Sequence, residues 1–190
     1  MKVICLDTEY ASVTGEIAQL SCLVTENGQK RACNWYFRVT EMDEGAYRVN
    51  GLSKEWLDEN GVEPETVKAE ILDLFSGAVL CAHNLNADKR VLEKALGKLP
   101  NAYGMCTMYR FAATLKLPGG RPYKMPSLRE LMEYYGVTEE LVNESAAADF
   151  GVQAAPHDAR WDAEAVQLCV ERAVAHGDCR DLFHEAEKKK

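Results

Sequence analysis

The chain has 190 residues, 47% hydrophobic and 27% charged, and its 30 acidic against 22 basic side chains give a formal net charge of −8. That length can bury one substantial core, and no apolar run approaches a membrane span or the core of a signal peptide. The acidic balance argues against tight, non-specific duplex binding through general positive charge.

The seven cysteines, Cys5, Cys22, Cys33, Cys81, Cys106, Cys169 and Cys179, form no C-x-x-C pair. Neither a zinc site nor a secreted disulfide framework is indicated, so a reducing cytoplasm is the expected setting. Charge is unevenly distributed. From Lys94 to Arg129 there is no Asp or Glu, whereas Lys94, Lys98, Arg110, Lys116, Arg121, Lys124 and Arg129 are basic. This reads either as chance and solvated faces or as an edge kept electropositive for a polyanion.

In chain order, the apolar run Val3–Leu6 predicts a buried strand that ends in Asp7-Thr8-Glu9. A second strand is expected over Glu16–Thr25, the turn pair Asn27-Gly28 closes a hairpin, and Arg31–Val39 supplies a third. Thr40–Leu52 reads as acidic and irregular. Ser53 caps a short helix that stops near Gly61, and Pro64–Phe75 is an amphipathic helix. Ala78–Ala82 has the all-apolar character of a strand buried on both faces, and a helix follows over Ala87–Leu96.

Tyr103–Cys106 is a fifth strand candidate, followed by a helix at Thr107–Leu115. Leu117–Pro126 holds three prolines and two glycines and reads as a loop. Ser127 caps a helix through Tyr135, Thr138–Ser145 forms another, Ala146–Pro156 is irregular, and Asp162–His176 is helical. The pattern predicts an α/β protein with a mixed five-stranded sheet, its first three strands antiparallel, flanked by helices. Residues 1–190 read as one domain, with 186–190 fraying at the end.

The chemistry concentrates at element ends. Residues two apart on a strand share a face, so Asp7 and Glu9 present two carboxylates side by side, an expensive arrangement unless a cation neutralises it. Asp88 falls in the first turn of a helix, where capping explains it equally well. Asp162 opens the last long helix and could also be its cap. His157 precedes it by five residues on a loop, and Asp158 competes for a ligand role but is expected to be exposed. Four carboxylates and a histidine form a hard-oxygen set suited to Mg²⁺ or Mn²⁺. Two such ions about 4 Å apart can activate water and stabilise a leaving oxygen in phosphodiester hydrolysis. Histidine, with a pKa near neutrality, suits the base.

In these motifs the sequence resembles the DEDDh, or DnaQ-like, 3′→5′ exonucleases of the ribonuclease H-like superfamily. Asp7-Thr8-Glu9 matches the first motif, His83-Asn84 with Asp88 the second, and His157-x-Ala159-x-x-Asp162-Ala163 the third. Val49-Asn50-Gly51-Leu52-Ser53 is similar to the segment between the first two. The resemblance, which runs from Val3 to about Ala175, implies a single exonuclease domain. It further implies two metal ions on Asp7, Glu9, Asp88 and Asp162, His157 as general base, and stepwise release of nucleoside 5′-monophosphates from a 3′ end.

The chain departs from the family pattern at three places: Tyr10-Ala11 replaces the usual Thr-Gly, Asn50 stands where histidine is usual, and Ala87 stands where an aromatic is usual. All three commonly lie near the terminal nucleotide. Tyr10 could stack on a base or pack on its own hairpin. Thr8, Tyr10, Asn50, Leu52, His83 and Asn84 are the candidate substrate contacts, joined by Arg121 and Lys124 from the loop at 118–124. The expected partner is single-stranded DNA or RNA with a free 3′ end, with no membrane. A homodimer, a polymerase or repair partner, the choice between DNA and RNA, and a catalytically silent binding subunit on the same fold all stay open.

Overall fold

The computed structural model describes residues 1–12, 15–100 and 103–180. The expected fraying of 186–190 lies outside them. Five strands, β1 (Lys2–Tyr10), β2 (Ile17–Glu26), β3 (Gln29–Tyr36), β4 (Val79–Ala82) and β5 (Tyr103–Cys106), form one sheet in the order β3-β2-β1-β4-β5. The β1–β2 and β2–β3 pairs are antiparallel, and β4 and β5 run parallel to β1. The long first strand is therefore central, and its C-terminal end opens where β2 on one side and β4 on the other diverge in direction.

Alternation along β1 sorts its side chains between two layers. Ile4 and Leu6 join Leu20, Cys22, Ile71, Phe75 and Leu92 in the core beneath α3 (Pro64–Phe75) and α4 (Leu85–Leu96). Val3 and Cys5 pack with Leu23, Cys81, Val166 and Val170 on the opposite face, beneath α8 (Ala159–His176). The helices α5 (Thr107–Leu115), α6 (Leu128–Tyr135) and α7 (Glu139–Phe150) extend that layer through Phe111, Leu131, Tyr135, Val142 and Trp161. Truncating a core leucine such as Leu6 or Leu92 to alanine would cost about 2–5 kcal/mol.

Three expectations need correction. Within Thr40–Leu52, residues Glu44–Asn50 form a helix, α1, which precedes α2 (Lys54–Asn60) and ends on Gly51 at φ 70°. It buries no residue, which is why no apolar stripe announced it. Helix α7 continues past Ser145 to Phe150, carried by three alanines, and stops at Gly151 at φ 71°. Helix α8 begins at Ala159, because Asp158 and not Asp162 is its cap. No helix among the described residues is long and apolar enough to cross a membrane.

Candidate active site

Asp7 and Glu9 continue the Val3–Cys5 row of β1 past the apolar core, on the face covered by α8. In register they lie across from Ser21 and Gln19 of β2, and a bulge follows Glu9 immediately. Asp162, in the first turn of α8, reaches the same place. One carboxylate oxygen from each of Asp7, Glu9 and Asp162 lies within 4.8 Å of the others. Thr8 points to the other face, where its hydroxyl donates to Asp88 Oδ1 at 2.8 Å. Asp88, in the first turn of α4, is 3% exposed and flanks the triad. One strand and two helix starts thus converge.

The electrostatics of this cluster are unfavourable by themselves. Burial, then the neighbouring Asp88, Asp162 and Glu9, push the Asp7 carboxyl well above the usual range. Burial and Asp162 raise Glu9 to about 8, against a lowering hydrogen bond from Asn50. Burial lifts Asp88 to about 7, partly offset by the Thr8 hydroxyl. Asp162 rises to about 6 through burial, with the nearby His157 and its N–H pulling the other way. Four carboxylates crowded at the end of one sheet, each with raised proton affinity, make a site whose charge a cation would balance. The donors are oxygens only, so the set fits a hard divalent ion.

His157 is exposed, with its backbone in the left-handed region at φ 67°. Its N–H donates to Asp162 Oδ2 at 2.9 Å. Beside it, Pro156, Trp161 and Asp162 line a hollow with Ser127 and Arg129 of the α6 start. Asp158, expected to be exposed, is instead partly buried, accepting from Arg160 N at 3.0 Å and from Gln19 Nε2 at 3.0 Å. The Arg160 guanidinium holds the Asp158 carboxyl below its usual range despite that burial.

Asn50 ties α1 to the end of β1, donating to the Tyr10 carbonyl at 3.2 Å and accepting from Leu52 N at 3.0 Å. Tyr10, Asn50, Val49, Ala87 and Arg90 then line, with Glu9, a cavity of about 940 Å³ that opens directly off the carboxylates. Leu52 packs with Ala11, Val39 and Leu57 nearby. Arg90 is exposed and has no ion pair among the described residues.

His83 and Asn84 are not drawn into the cluster in the same way. Pro126 O can only accept, so His83 Nε2 donates to it at 3.0 Å, and Nδ1 accepts from the Thr107 hydroxyl at 3.0 Å. Both ring nitrogens are thereby engaged internally. Asn84 adopts φ 75° as the cap residue of α4. Part of the basic stretch is engaged: Lys124 pairs with Glu130 at 2.6 Å, Arg129 with Glu139 at 3.2 Å, and Arg110 donates to the Asp178 carbonyl at 2.6 Å. Arg121 is exposed without an ion pair among the described residues. Sequence reading missed Gln19 and Arg90. A glutamine alternating with apolar residues on a strand, and an arginine two residues past Asp88, were the available signals.

No protein-family model and no curated protein sequence matches the chain. Solved structures do. An exonuclease X in complex with 5′-overhanging duplex DNA matches at TM-score 0.65 and 17% identity, over 92% of this chain and 93% of the other. A zinc-bound E. coli exonuclease I complex with single-stranded DNA matches at TM-score 0.65 and 13% identity, over 92% of this chain, which spans 40% of that one. A 3′-exonuclease solved in recognition of the histone mRNA stem-loop matches at TM-score 0.60 and 12% identity, over 93% and 82% of the two chains. The chain therefore shares the α/β fold of these exonucleases.

Proposed function

We propose that this protein is a divalent-metal-dependent 3′→5′ exonuclease that removes nucleoside 5′-monophosphates from single-stranded nucleic acid or short oligonucleotides. The observation that carries this reading is the convergence of Asp7, Glu9 and Asp162 within 4.8 Å, flanked by buried Asp88. The fold it shares with exonucleases solved on DNA and RNA supports it.

Asp7, Glu9, Asp88 and Asp162 would hold Mg²⁺ or Mn²⁺, two ions in the reading adopted. When bound, the ions supply charge stabilisation of the phosphoryl oxygens and of the attacking and leaving oxygens. The chain's own groups do the rest. His157 sits beside the cluster on an exposed turn and takes the proton of the attacking water on its imidazole. The P–O3′ bond breaks, and the departing 3′-oxygen is protonated from solvent. The cavity beyond Glu9 receives the terminal nucleoside, with Asn50 and Leu52 at its sugar and the Tyr10 ring available for its base.

Incubation of the protein with Mg²⁺ or Mn²⁺ and 5′-labelled single-stranded DNA, single-stranded RNA or a 3′-overhang duplex tests this. A ladder shortening from the 3′ end is expected. Asp7→Ala and Asp162→Ala should each abolish it while far-ultraviolet circular dichroism stays native, and His157→Ala should slow it by about 10² or more. Near-normal rates in either aspartate variant would sink the metal assignment. Binding without any ladder favours a silent nucleic-acid-binding subunit.

A further inference from the structure

Gln19 is 1% exposed and lies directly across from Glu9 in the β1–β2 register. A buried amide is costly unless its donors and acceptor are all satisfied, and here one donor and the acceptor go to the start of α8. Nε2 donates to Asp158 Oδ1 at 3.0 Å and to Asn34 Oδ1 at 2.9 Å, while Oε1 accepts from Ala159 N at 3.2 Å. Ser21 Oγ donates to the same Asn34 oxygen at 2.6 Å, which fixes the orientation of that acceptor. Asp158 and Ala159 are the residues immediately after His157.

Helix capping alone does not explain Gln19: its Oε1 satisfies the first N–H of α8, but Asp158 already caps the helix by accepting from Arg160 N at 3.0 Å, and capping does not require the bond from Gln19 Nε2 to Asp158. Arg160 folds back onto Asp158, and its guanidinium lies 5.8 Å from the centroid of Tyr36, the β3 residue paired with Gln19. The result is a bridge from two strands into the one short segment that carries both His157 and Asp162. Within it, His157 is held at φ 67°, a left-handed conformation that non-glycine residues adopt only at a cost. Only surrounding contacts keep such a residue in place. The latch stands on the same sheet face as the Asp7–Glu9 row, so it references the loop to the strand that supplies the other carboxylates.

We propose that Gln19, acting through Asp158 and Ala159, is a positioning residue that sets His157 and Asp162 against Asp7 and Glu9. What those four residues do rests on the exonuclease reading above; the latch itself does not.

The test compares Gln19→Ala, Gln19→Glu and the double variant Gln19→Glu/Asp158→Asn at pH 8. Gln19→Glu would place a carboxylate against Asp158 and remove the donor. Adding Asp158→Asn would relieve that like-charge contact while its Oδ1, the atom that both faces Gln19 and accepts from Arg160 N, still caps α8. Hydrogen exchange followed by mass spectrometry, in EDTA, should show peptides covering 155–162 exchanging roughly tenfold faster in both single variants. Peptides from β1 and β2 should be unchanged, and protection should return in part in the double variant. With Mg²⁺ and a labelled single strand, kcat should fall by about 10², with KM moving by less than about threefold.

Unchanged exchange at 155–162 in both single variants overturns the latch. So does a uniform loss of sheet protection, which marks Gln19 as structural only, or unaltered kcat despite faster exchange. If the wild-type protein degrades nothing, the exonuclease reading falls, and the exchange measurement still decides the latch.

Discussion

Arg90 shows how far a single side chain can move the substrate question. It stands two residues beyond Asp88, faces the cavity with Tyr10 and Ala87, and its charge acts on the Tyr10 phenol. With Ala87 where a ring would have filled space, the cavity keeps room for a base, and the guanidinium offers it a planar donor or stacking surface. Arg90→Ala should raise KM for a single-stranded oligonucleotide by about tenfold, the loss of one charge-assisted contact of ~1.5 kcal/mol, and leave kcat nearly untouched. Steady-state kinetics on 5′-labelled substrate checks this. A fall in kcat with constant KM would instead place Arg90 in the chemical step. Tyr10→Phe should behave as wild type, and Tyr10→Ala should not, if the ring face matters.

At the scale of elements, the sequence announced those whose function is to be buried. β1, α3 and α4 were readable because their apolar periodicity is set by the core they face. Helix α1 was not, because it buries nothing and is held by its caps and by Asn50 bridging to Tyr10. The start of α8 was misplaced because two aspartates, Asp158 and Asp162, could each have capped it, and it is Asp158 that accepts from Arg160 N and is tied to the sheet by Gln19. Likewise the acid-free stretch looked more cationic than it is, because Glu130 and Glu139, which pair with Lys124 and Arg129, lie just past its end in sequence. The convergence of Asp7, Glu9 and Asp162 was legible from three motifs in order; the cavity beside them was not. The same pairing revises what the loop before α6 can do. Lys124 engages Glu130, whose carboxyl that partner pulls down to about 2, and Ser127 closes a capping box with the same glutamate. Glu130 is thus spoken for twice, and Lys124 is held by it, which leaves Arg121 as the free charge of the loop. Arg121→Ala should lower the salt dependence of single-strand binding by about one in slope, whereas Lys124→Ala should change it little. Ser127→Ala should cost ~1 kcal/mol in urea denaturation through the lost cap. Fluorescence anisotropy titrations from about 50 to 300 mM salt separate the two cations. Equal slopes for wild type and Arg121→Ala would remove the loop from the substrate path.

For the molecule as a whole, the carboxylate cluster sets how stability responds to pH. Folding raises the affinity of Asp7, Glu9, Asp88 and Asp162 for protons, with Glu9 at about 8, Asp88 at about 7 and Asp162 at about 6. Unfolded carboxyls titrate near 4. Groups whose folded pKa is raised contribute stability that is complete below about pH 4 and is lost as pH climbs through about 6 to 8. Each tenfold difference in proton affinity is worth ~1.4 kcal/mol, so the apoprotein should melt at a lower temperature at pH 8.5 than at pH 5.5. Buried Glu164, raised to about 7 by desolvation, pushes in the same direction from outside the site. Asp7→Asn isolates the site's share: in EDTA it should raise Tm at pH 8.5 and do little at pH 5.5. A divalent cation binds only the ionised carboxylates and therefore competes with protons. Mg²⁺ or Mn²⁺ should raise Tm strongly at pH 8.5, weakly at pH 5.5, and not at all in Asp7→Asn. A thermal melt in EDTA whose midpoint rises steadily from pH 5.5 to 8.5, with no response to metal, would mean that these four carboxylates are not held together as a cation site.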